Sequence, residues 1–257
     1  MQLDIDFSLA GKTLVVTGAA GHICGSLVEY ALNNGANCVS ADSSERKLAE
    51  QYKKFGSASN QFATKHTDVT SDDSWAELLA FSKDRFGKLD CLVNGAGINA
   101  PGELFQAGIS DFRSILDVNL VGTFIGTQTF GAEFVKQNAG SIINISSTSS
   151  GPPLSKAYAY SASKAGITNI TKNSAREMAK YGVRVNAIRP GFFPTDWNKK
   201  NFLTEERISD ILNHTPMARF GEPRELLSAF LFLMSDASSF VTGAEIIVDG
   251  GFSAQTI

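Results

Sequence analysis

Tyr160 and Lys164 stand four residues apart in Tyr160-Ser161-Ala162-Ser163-Lys164, and Ser147 precedes the tyrosine by thirteen residues. In a helix, positions i and i+4 share a face, so a lysine ammonium would stand beside a phenol. A free phenol titrates near pH ~10 and is a poor base at neutral pH. A fixed cation favours the phenolate. Bringing its pKa to about 7 takes roughly 4 kcal/mol of differential stabilisation. A hydroxyl at Ser147 can hold a substrate oxygen. The three residues form an acid–base unit suited to interconverting an alcohol and a carbonyl. Tyr-x-x-x-Lys alone equally describes an exposed pair on a surface helix, so the surrounding elements decide.

Those elements alternate. Short apolar runs predict strands at Lys12–Thr17, Asn37–Ala41, Phe62–His66, Cys91–Asn94, Ser141–Ser146, Arg184–Ile188 and Glu245–Val248. Helical patterns lie near His22–Asn34, Ser44–Phe55, Asp72–Phe86, Asp111–Gln137, Ala157–Tyr181 and Pro223–Met234. Gly35, Gly56, Gly87, Gly140 and Gly182 are read as helix stops. Continuous apolar strands between helices predict an α/β fold, a doubly wound parallel sheet of about seven strands covered on both faces. No linker or repeat interrupts residues 1–257, so a single domain is expected, and the least regular stretch, residues 190–216, is read as a lid.

Composition narrows the class. The chain has 257 residues, 43% hydrophobic and 19% charged, with a net charge of −3, which is ordinary for a globular enzyme-sized domain. Scattered charge gives no footprint for nucleic acid or a membrane surface. The start, MQLDIDFSLAGKTLVV, does not read as a signal peptide, and no apolar run has the length of a membrane span. Cys24, Cys38 and Cys91 are widely spaced and odd in number, which suggests neither a zinc site nor a disulfide framework. A reducing, cytoplasmic setting and no metal are expected.

The first strand runs into Gly18-Ala19-Ala20-Gly21-His22-Ile23-Cys24-Gly25 and then a helix. A glycine-rich strand-to-helix turn lets backbone amides approach a pyrophosphate. The second strand ends at Asp42, whose carboxylate can bind both ribose hydroxyls and repels a 2′-phosphate. NAD is therefore favoured over NADP.

With these residues in view, the chain resembles the short-chain dehydrogenase/reductase family over nearly its whole length. The resemblance is carried by Thr17-Gly18 through Gly25, Asp68-Val69, Asn94-Gly95-Ala96-Gly97, Asn119, Ile145-Ser146-Ser147, Tyr160-x-x-x-Lys164, Pro190-Gly191-x-x-x-Thr195 and Val248-Asp249-Gly250-Gly251. It implies Tyr160 as general acid/base, Lys164 as the cation that depresses its pKa and binds the nicotinamide ribose, and Ser147 as the group that orients the substrate oxygen. It implies Asn119, in a kinked helix, as part of a proton relay. The implied cofactor contacts are Gly18, Gly21, His22, Ile23, Asp42, Asp68, Val69, Asn94, Ala96, Gly97, Tyr160, Lys164, Pro190, Gly191, Phe193 and Thr195. The implied substrate contacts are Asn99, Ser147, Ser149, Tyr160, Phe192 and Trp197, with Leu154 nearby.

The chain departs from the family pattern in three places, the first covering two residues. His22 and Cys24 stand where the loop usually has its second and third glycines, Gly95 replaces an asparagine, and Arg189 precedes Pro190 where small residues are commoner. Cys24 is expected to weaken dinucleotide affinity. His22 offers a hydrogen bond to a phosphate or simply faces solvent. Arg189 reaches either an anionic substrate or a nearby acid. Phe192, Phe193, Trp197, Asn198, Lys199, Lys200 and His214 suit a polyhydroxylated substrate, some of the aromatics also packing the lid. The segments around Gly97–Pro101, Ser149–Pro153, Pro190–Asn198 and His214–Gly221 resemble sugar-acid dehydrogenases of the mannonate/fructuronate or gluconate type. The competing readings are a 3-oxoacyl-thioester reductase and a non-catalytic nucleotide-binding protein. The resemblance also implies a homotetramer (or homodimer) built through the long helices and the last strand. Leu226–Met234 and the C-terminal residues could serve that contact or the core.

Overall fold

β1 (Thr13–Thr17) is apolar on both sides, and the fold uses both. Leu14 and Val16 join a core formed with α1 (His22–Asn33) and α8 (Pro223–Met234). Val15 joins a second core with α3 (Asp72–Phe86), α5 (Gly122–Gln137) and α6 (Tyr158–Met178). Period-two alternation with both faces buried is the signature of a sheet sandwiched between helix layers. The computed structural model describes residues 6–56, 60–194 and 203–255.

Among these residues β1, β2 (Asn37–Asp42), β3 (Phe62–His66), β4 (Cys91–Asn94), β5 (Gly140–Ile145), β6 (Val183–Pro190) and β7 (Glu245–Val248) form one sheet. Its order is β3-β2-β1-β4-β5-β6-β7. Every pairing is parallel. The expected doubly wound architecture is therefore present. The order reverses between β1 and β4, so the loops leaving their carboxyl ends diverge and open a crevice there.

The remaining helices are α2 (Glu45–Phe55), α4 (Ile109–Leu116) and α7 (Glu205–His214). Leu226, Phe230 and Leu233 of α8 are wholly buried and belong to the core. Ser71 caps α3 by accepting from Ser74 N, and Asp72 and Asp73 in its first turn complement the helix dipole. No described helix is long and apolar enough to cross a membrane.

Three sequence expectations are corrected. The stretch Asp111–Gln137 is not one regular helix: α4 and α5 are joined by a π-turn, Asp117–Val121, in which Gly122 N donates to Asp117 O. Gly140 does not stop α5. Asn138, at φ 54°, takes the left-handed position, while Gly140 opens β5 where a Cβ would strike the Phe134 ring. The supposed lid is not irregular throughout, since its residues 205–214 form α7.

Candidate active site

The β1–α1 turn is built for close approach. Gly18 adopts φ 62°, and a Cβ there would lie 2.7 Å from Gly95 O. Only glycine satisfies both demands. Gly21 caps α1 without a side chain, and no acid occupies the first turn, so the helix presents free amides and positive dipole to the crevice. Asp42, half-buried at the end of β2, overlooks this turn: its Oδ2 accepts from Ala20 N at 3.1 Å and its Oδ1 from Ser44 N at 3.0 Å. A glycine cradle, an uncapped helix start and a carboxylate at the next strand end fit the pyrophosphate and ribose of a dinucleotide.

Thr17 joins the two crevice loops, a role not anticipated from sequence. Its buried Oγ1 donates to Val93 O at 3.3 Å and accepts from Gly95 N at 3.1 Å and Ala96 N at 3.4 Å. Cys24 lies in the same seam. It is a buried core residue, and a Cβ built on Gly95 would collide with its sulfur. Burial pushes its thiol up to about 12, so it stays protonated. His22, the first residue of α1, is exposed, and Ile23 lines the cavity described below.

Asp68 is exposed, its carboxylate held below the usual range by hydrogen bonds from Thr70 N and Thr70 Oγ1. Val69 is buried, and its carbonyl accepts from Trp75 Nε1 at 2.9 Å. Asn94 requires a correction. Its amide donates to Thr127 Oγ1 at 3.2 Å and Asn144 Oδ1 at 2.9 Å, and its Oδ1 faces Gly126 of α5. The side chain therefore braces the sheet instead of facing a ligand. Gly97 is exposed between Asn119 and Lys164: a Cβ at this position would lie 3.4 Å from Asn119 Oδ1 and 3.7 Å from Lys164 Nζ.

The acid–base unit forms where β5 meets α6. Ser147 leaves the end of β5, and Tyr160 and Lys164 share the inner face of α6. Lys164 is almost wholly buried; its Nζ donates to Ile145 O at 2.7 Å and lies 5.5 Å from the centre of the Tyr160 ring. Burial lowers its pKa to about 8, with Cys24 acting weakly in the other direction. Burial raises the Tyr160 pKa, and a hydrogen bond with Ser147 opposes that rise. Burial is therefore the larger influence on the phenol, and the serine hydroxyl opposes it.

Asn119 sits in the π-turn, fully buried. Its side chain accepts from Ile98 N at 2.8 Å and donates to Ile98 O at 3.0 Å and to Ser163 Oγ at 3.1 Å. It straps the β4 loop to α6. Its main-chain carbonyl accepts from Thr123 Oγ1 at 2.7 Å. A π-turn at this point accords with the frequent use of such bulges at functional sites.

Tyr160, Ser147, Asn99, Leu154, Pro190, Gly191, Phe192 and Phe193 line one cavity of about 720 Å³. Phe192 packs edge-on to Phe252 at 5.1 Å, and His214 turns to the same ring at 4.5 Å. The Phe193 ring lies against Gly221, leaving its backbone at the cavity edge. Ser149 is a second correction: it is buried and off the described wall, because the 3-10 turn Thr148–Ser150 rotates it inward. Thr195, Trp197, Asn198, Lys199 and Lys200 lie outside the described residues. Arg189 is absent from the described wall and pairs with Glu245 at 3.5 Å, so the nearby-acid reading holds.

Sequence reasoning missed the far wall. Glu206, Arg207 and Asp210 of α7 line the cavity together with Ser155 and Lys156. Lys156 pairs with Glu103 at 3.1 Å, whereas Arg207 donates to Ser155 Oγ at 3.4 Å and has no carboxylate partner among the described residues. Thr204 capping α7, followed by Glu205 and Glu206, was the available signal.

A family profile described as enoyl-(acyl carrier protein) reductase matches residues 18–253. The chain is 36% identical to the 3-oxoacyl-[acyl-carrier-protein] reductase FabG of Thermotoga maritima, over 95% of this chain and 98% of the relative. It superposes on a gluconate 5-dehydrogenase from Burkholderia cenocepacia, in complex with NADP and tartrate, with a TM-score of 0.92 and 30% identity, covering 97% of this chain and 98% of the other. It also superposes on a protein of Haemophilus influenza with bound NAD, provisionally named a D-mannonate oxidoreductase. That TM-score is 0.89, at 34% identity and 97% coverage of each chain.

Proposed function

This chain belongs to the short-chain dehydrogenase/reductase family, and on that footing we propose that it is an NAD(H)-dependent dehydrogenase of a secondary alcohol on a sugar or sugar acid. The observation that carries the reading is the meeting of Ser147 and Tyr160 on the wall of a cavity that runs on to Ile23 and Gly191.

In this reading Gly18, Gly21 and the first turn of α1 hold the pyrophosphate, Asp42 holds the adenosine ribose, and Lys164 holds the nicotinamide ribose. The nicotinamide, when bound, supplies hydride chemistry; the chain supplies position and proton handling. Ser147 orients the substrate oxygen and favours the charged form of the phenol. Tyr160 takes the hydroxyl proton in oxidation and returns it in reduction. Asn119 keeps the loop carrying Gly97 and Ile98 against α6.

NAD is supported by Asp42, a carboxylate at the end of β2 that in this reading binds the ribose hydroxyls and repels a 2′-phosphate. A polyhydroxylated substrate is supported by Asn99, Lys156, Glu206, Arg207 and Asp210 around the cavity. Arg207, without a carboxylate partner among the described residues, is the group we assign to a substrate carboxylate. A 3-oxoacyl-thioester reductase remains the second reading, favoured by the similarity to the Thermotoga reductase. For assembly, exposed Ile109, Val121 and Phe124 on the α4–α5 face and Ile247 on β7 support a homotetramer, which light scattering tests.

The deciding experiment follows NAD reduction against sugars, sugar acids and 3-hydroxyacyl thioesters, in the parent protein and in Tyr160→Phe. Turnover of a sugar or sugar acid, lost by about 10²–10⁴-fold in Tyr160→Phe, is expected. Turnover of thioesters alone would transfer the assignment to the second reading. Comparable rates in the variant would remove the mechanism.

A further inference from the structure

Arg189 directs its guanidinium at the catalytic loop. Its Nε donates to Ser147 O at 3.2 Å and its Nη2 to Thr148 O at 3.4 Å, while Nη1 lies 3.5 Å from Glu245 Oε2. Glu245 Oε1 accepts in turn from Thr168 Oγ1 at 2.8 Å and from Ser150 Oγ at 3.4 Å. Thr168 stands one turn beyond Lys164 on α6, and Ser150 ends the 3-10 turn that Ser147 opens. One ion pair thus connects the end of β6, the start of β7, the serine turn and the catalytic helix. The two side chains are only 12% and 18% exposed, so solvent screens the pair far less than a surface bridge. Gly151 leaves the room it needs: a Cβ there would collide with Arg189 Nη2.

The guanidinium also suits this task in a way lysine does not. Its planar fork serves two carbonyls and a carboxylate from fixed directions, whereas an ammonium on a flexible stem cannot. Arg189 and Pro190 are consecutive, so whatever fixes Arg189 also fixes the strand end from which Pro190 and Gly191 reach the cavity.

We propose that Arg189 and Glu245 are positioning residues that hold the main chain of Ser147 and so set its hydroxyl against the Tyr160 phenol. The inference rests on the roles proposed above for Ser147 and Tyr160. Neither residue of the pair is asked to touch substrate or cofactor; each acts through the serine turn.

The test compares the parent with Glu245→Gln, Arg189→Lys, the double variant and Ser147→Ala, all with matched thermal melts. Glutamine keeps an acceptor for Thr168 and removes the charge, so Glu245→Gln is the variant that tests the clamp with least risk to folding. In Glu245→Gln, kcat for alcohol oxidation should fall by about 10–100-fold, the cost of a small misplacement at a reacting centre. The NAD dissociation constant should change far less than kcat, by no more than about threefold, because the pair reaches the implied cofactor contacts only through Pro190 and Gly191 and does not meet the glycine turn or Asp42. The rising limb of the kcat/KM profile should move to higher pH, since a loosened serine hydroxyl no longer favours the phenolate. The other charged groups facing the phenol are Lys164 behind it and Lys156, Glu206, Arg207 and Asp210 around the cavity, and both substitutions leave them in place. The double variant should be no slower than the slower single variant, as coupled residues require. Unchanged kcat and limb in Glu245→Gln, with Ser147→Ala impaired, would overturn the clamp and leave the site reading standing. Unimpaired Ser147→Ala would overturn both.

Discussion

Cys24 and Gly95 divide one volume between them: a Cβ on Gly95 would run into the Cys24 sulfur and would also lie 2.7 Å from Thr17 O. The two departures from the family pattern are therefore a matched pair across the crevice loops. The sulfur faces Gly95 and the core, whereas the expectation of weakened affinity had it crowding the dinucleotide. Cys24→Gly should change the NAD dissociation constant by less than about threefold while costing roughly 1–2 kcal/mol of stability. Gly95→Ala should cost about 2–3 kcal/mol, and Cys24→Gly should relieve only part of that, because Thr17 O remains in the way. Calorimetric titration with NAD and urea unfolding of the three variants decide it; a tenfold gain in affinity for Cys24→Gly would restore the expectation of a crowded dinucleotide.

Lys164 makes stability depend on pH with a definite sign. Burial lowers its pKa from 10.5 to about 8, so the unfolded chain binds the extra proton more readily between those values. Its contribution is present above pH 10.5 and lost as pH falls through about 8. A Lys164→Met variant should therefore exceed the parent in stability at pH 7, the gap closing by about 3 kcal/mol as pH rises to 10.5. Taking the difference between two proteins removes most of the opposing effect of the buried thiols, which destabilise the fold above their unfolded pKa of 9.0. Denaturant unfolding in reductant across this range tests the point, and a gap independent of pH would refute it.

Asp42 has both carboxylate oxygens engaged by backbone amides, of Ala20 and Ser44, so its direction is fixed before any ligand arrives. Asp42→Ala should raise kcat/KM with NADP relative to NAD by at least about tenfold, by removing the repulsion of a 2′-phosphate. Steady-state rates with the two cofactors measure this. An unchanged ratio would mean that Asp42 does not read the ribose.

Arg207 should discriminate by charge. For a carboxylate-bearing substrate, Arg207→Gln should raise KM by about 10–100-fold, the loss of one charge-assisted pair. A neutral polyol turned over by the same protein should be little affected. Equal effects on both substrates would assign Arg207 to the shape of α7 and not to recognition.

Much of this was legible in the chain itself. The central strands were legible because they are short apolar runs buried on both faces, and the crevice because glycine must supply the positive φ at Gly18. The Tyr160–Lys164 relation followed from helical spacing alone. What escaped were pairings between distant residues. Asn94 looked like a ligand contact until Thr127 and Asn144, 33 and 50 residues away, claimed its amide. Arg189 could be read two ways until Glu245 stood beside it on the neighbouring strand. The helix α7 was hidden by its overall polarity: Ile211 is its one buried residue, and few apolar side chains mark its inner face. Ser149 failed for a local reason, since a 3-10 turn advances side chains by a third of a circle and not by a strand's half.

The π-turn at Asp117–Val121 makes this stretch sensitive to residue count more than to residue type. A π-turn takes up one more residue than an α-turn over nearly the same rotation. Deleting one position there would let the turn relax to ordinary helix, while Ile125, Phe130 and Phe134 would keep the core they now fill. The damage would be local, since Asn119 would be carried off its hold on Ile98. The bulge is a spare residue absorbed in place, which aims one side chain without disturbing the rod beyond it. Length variation among functional descendants of this chain should fall in the surface loops and avoid these five residues.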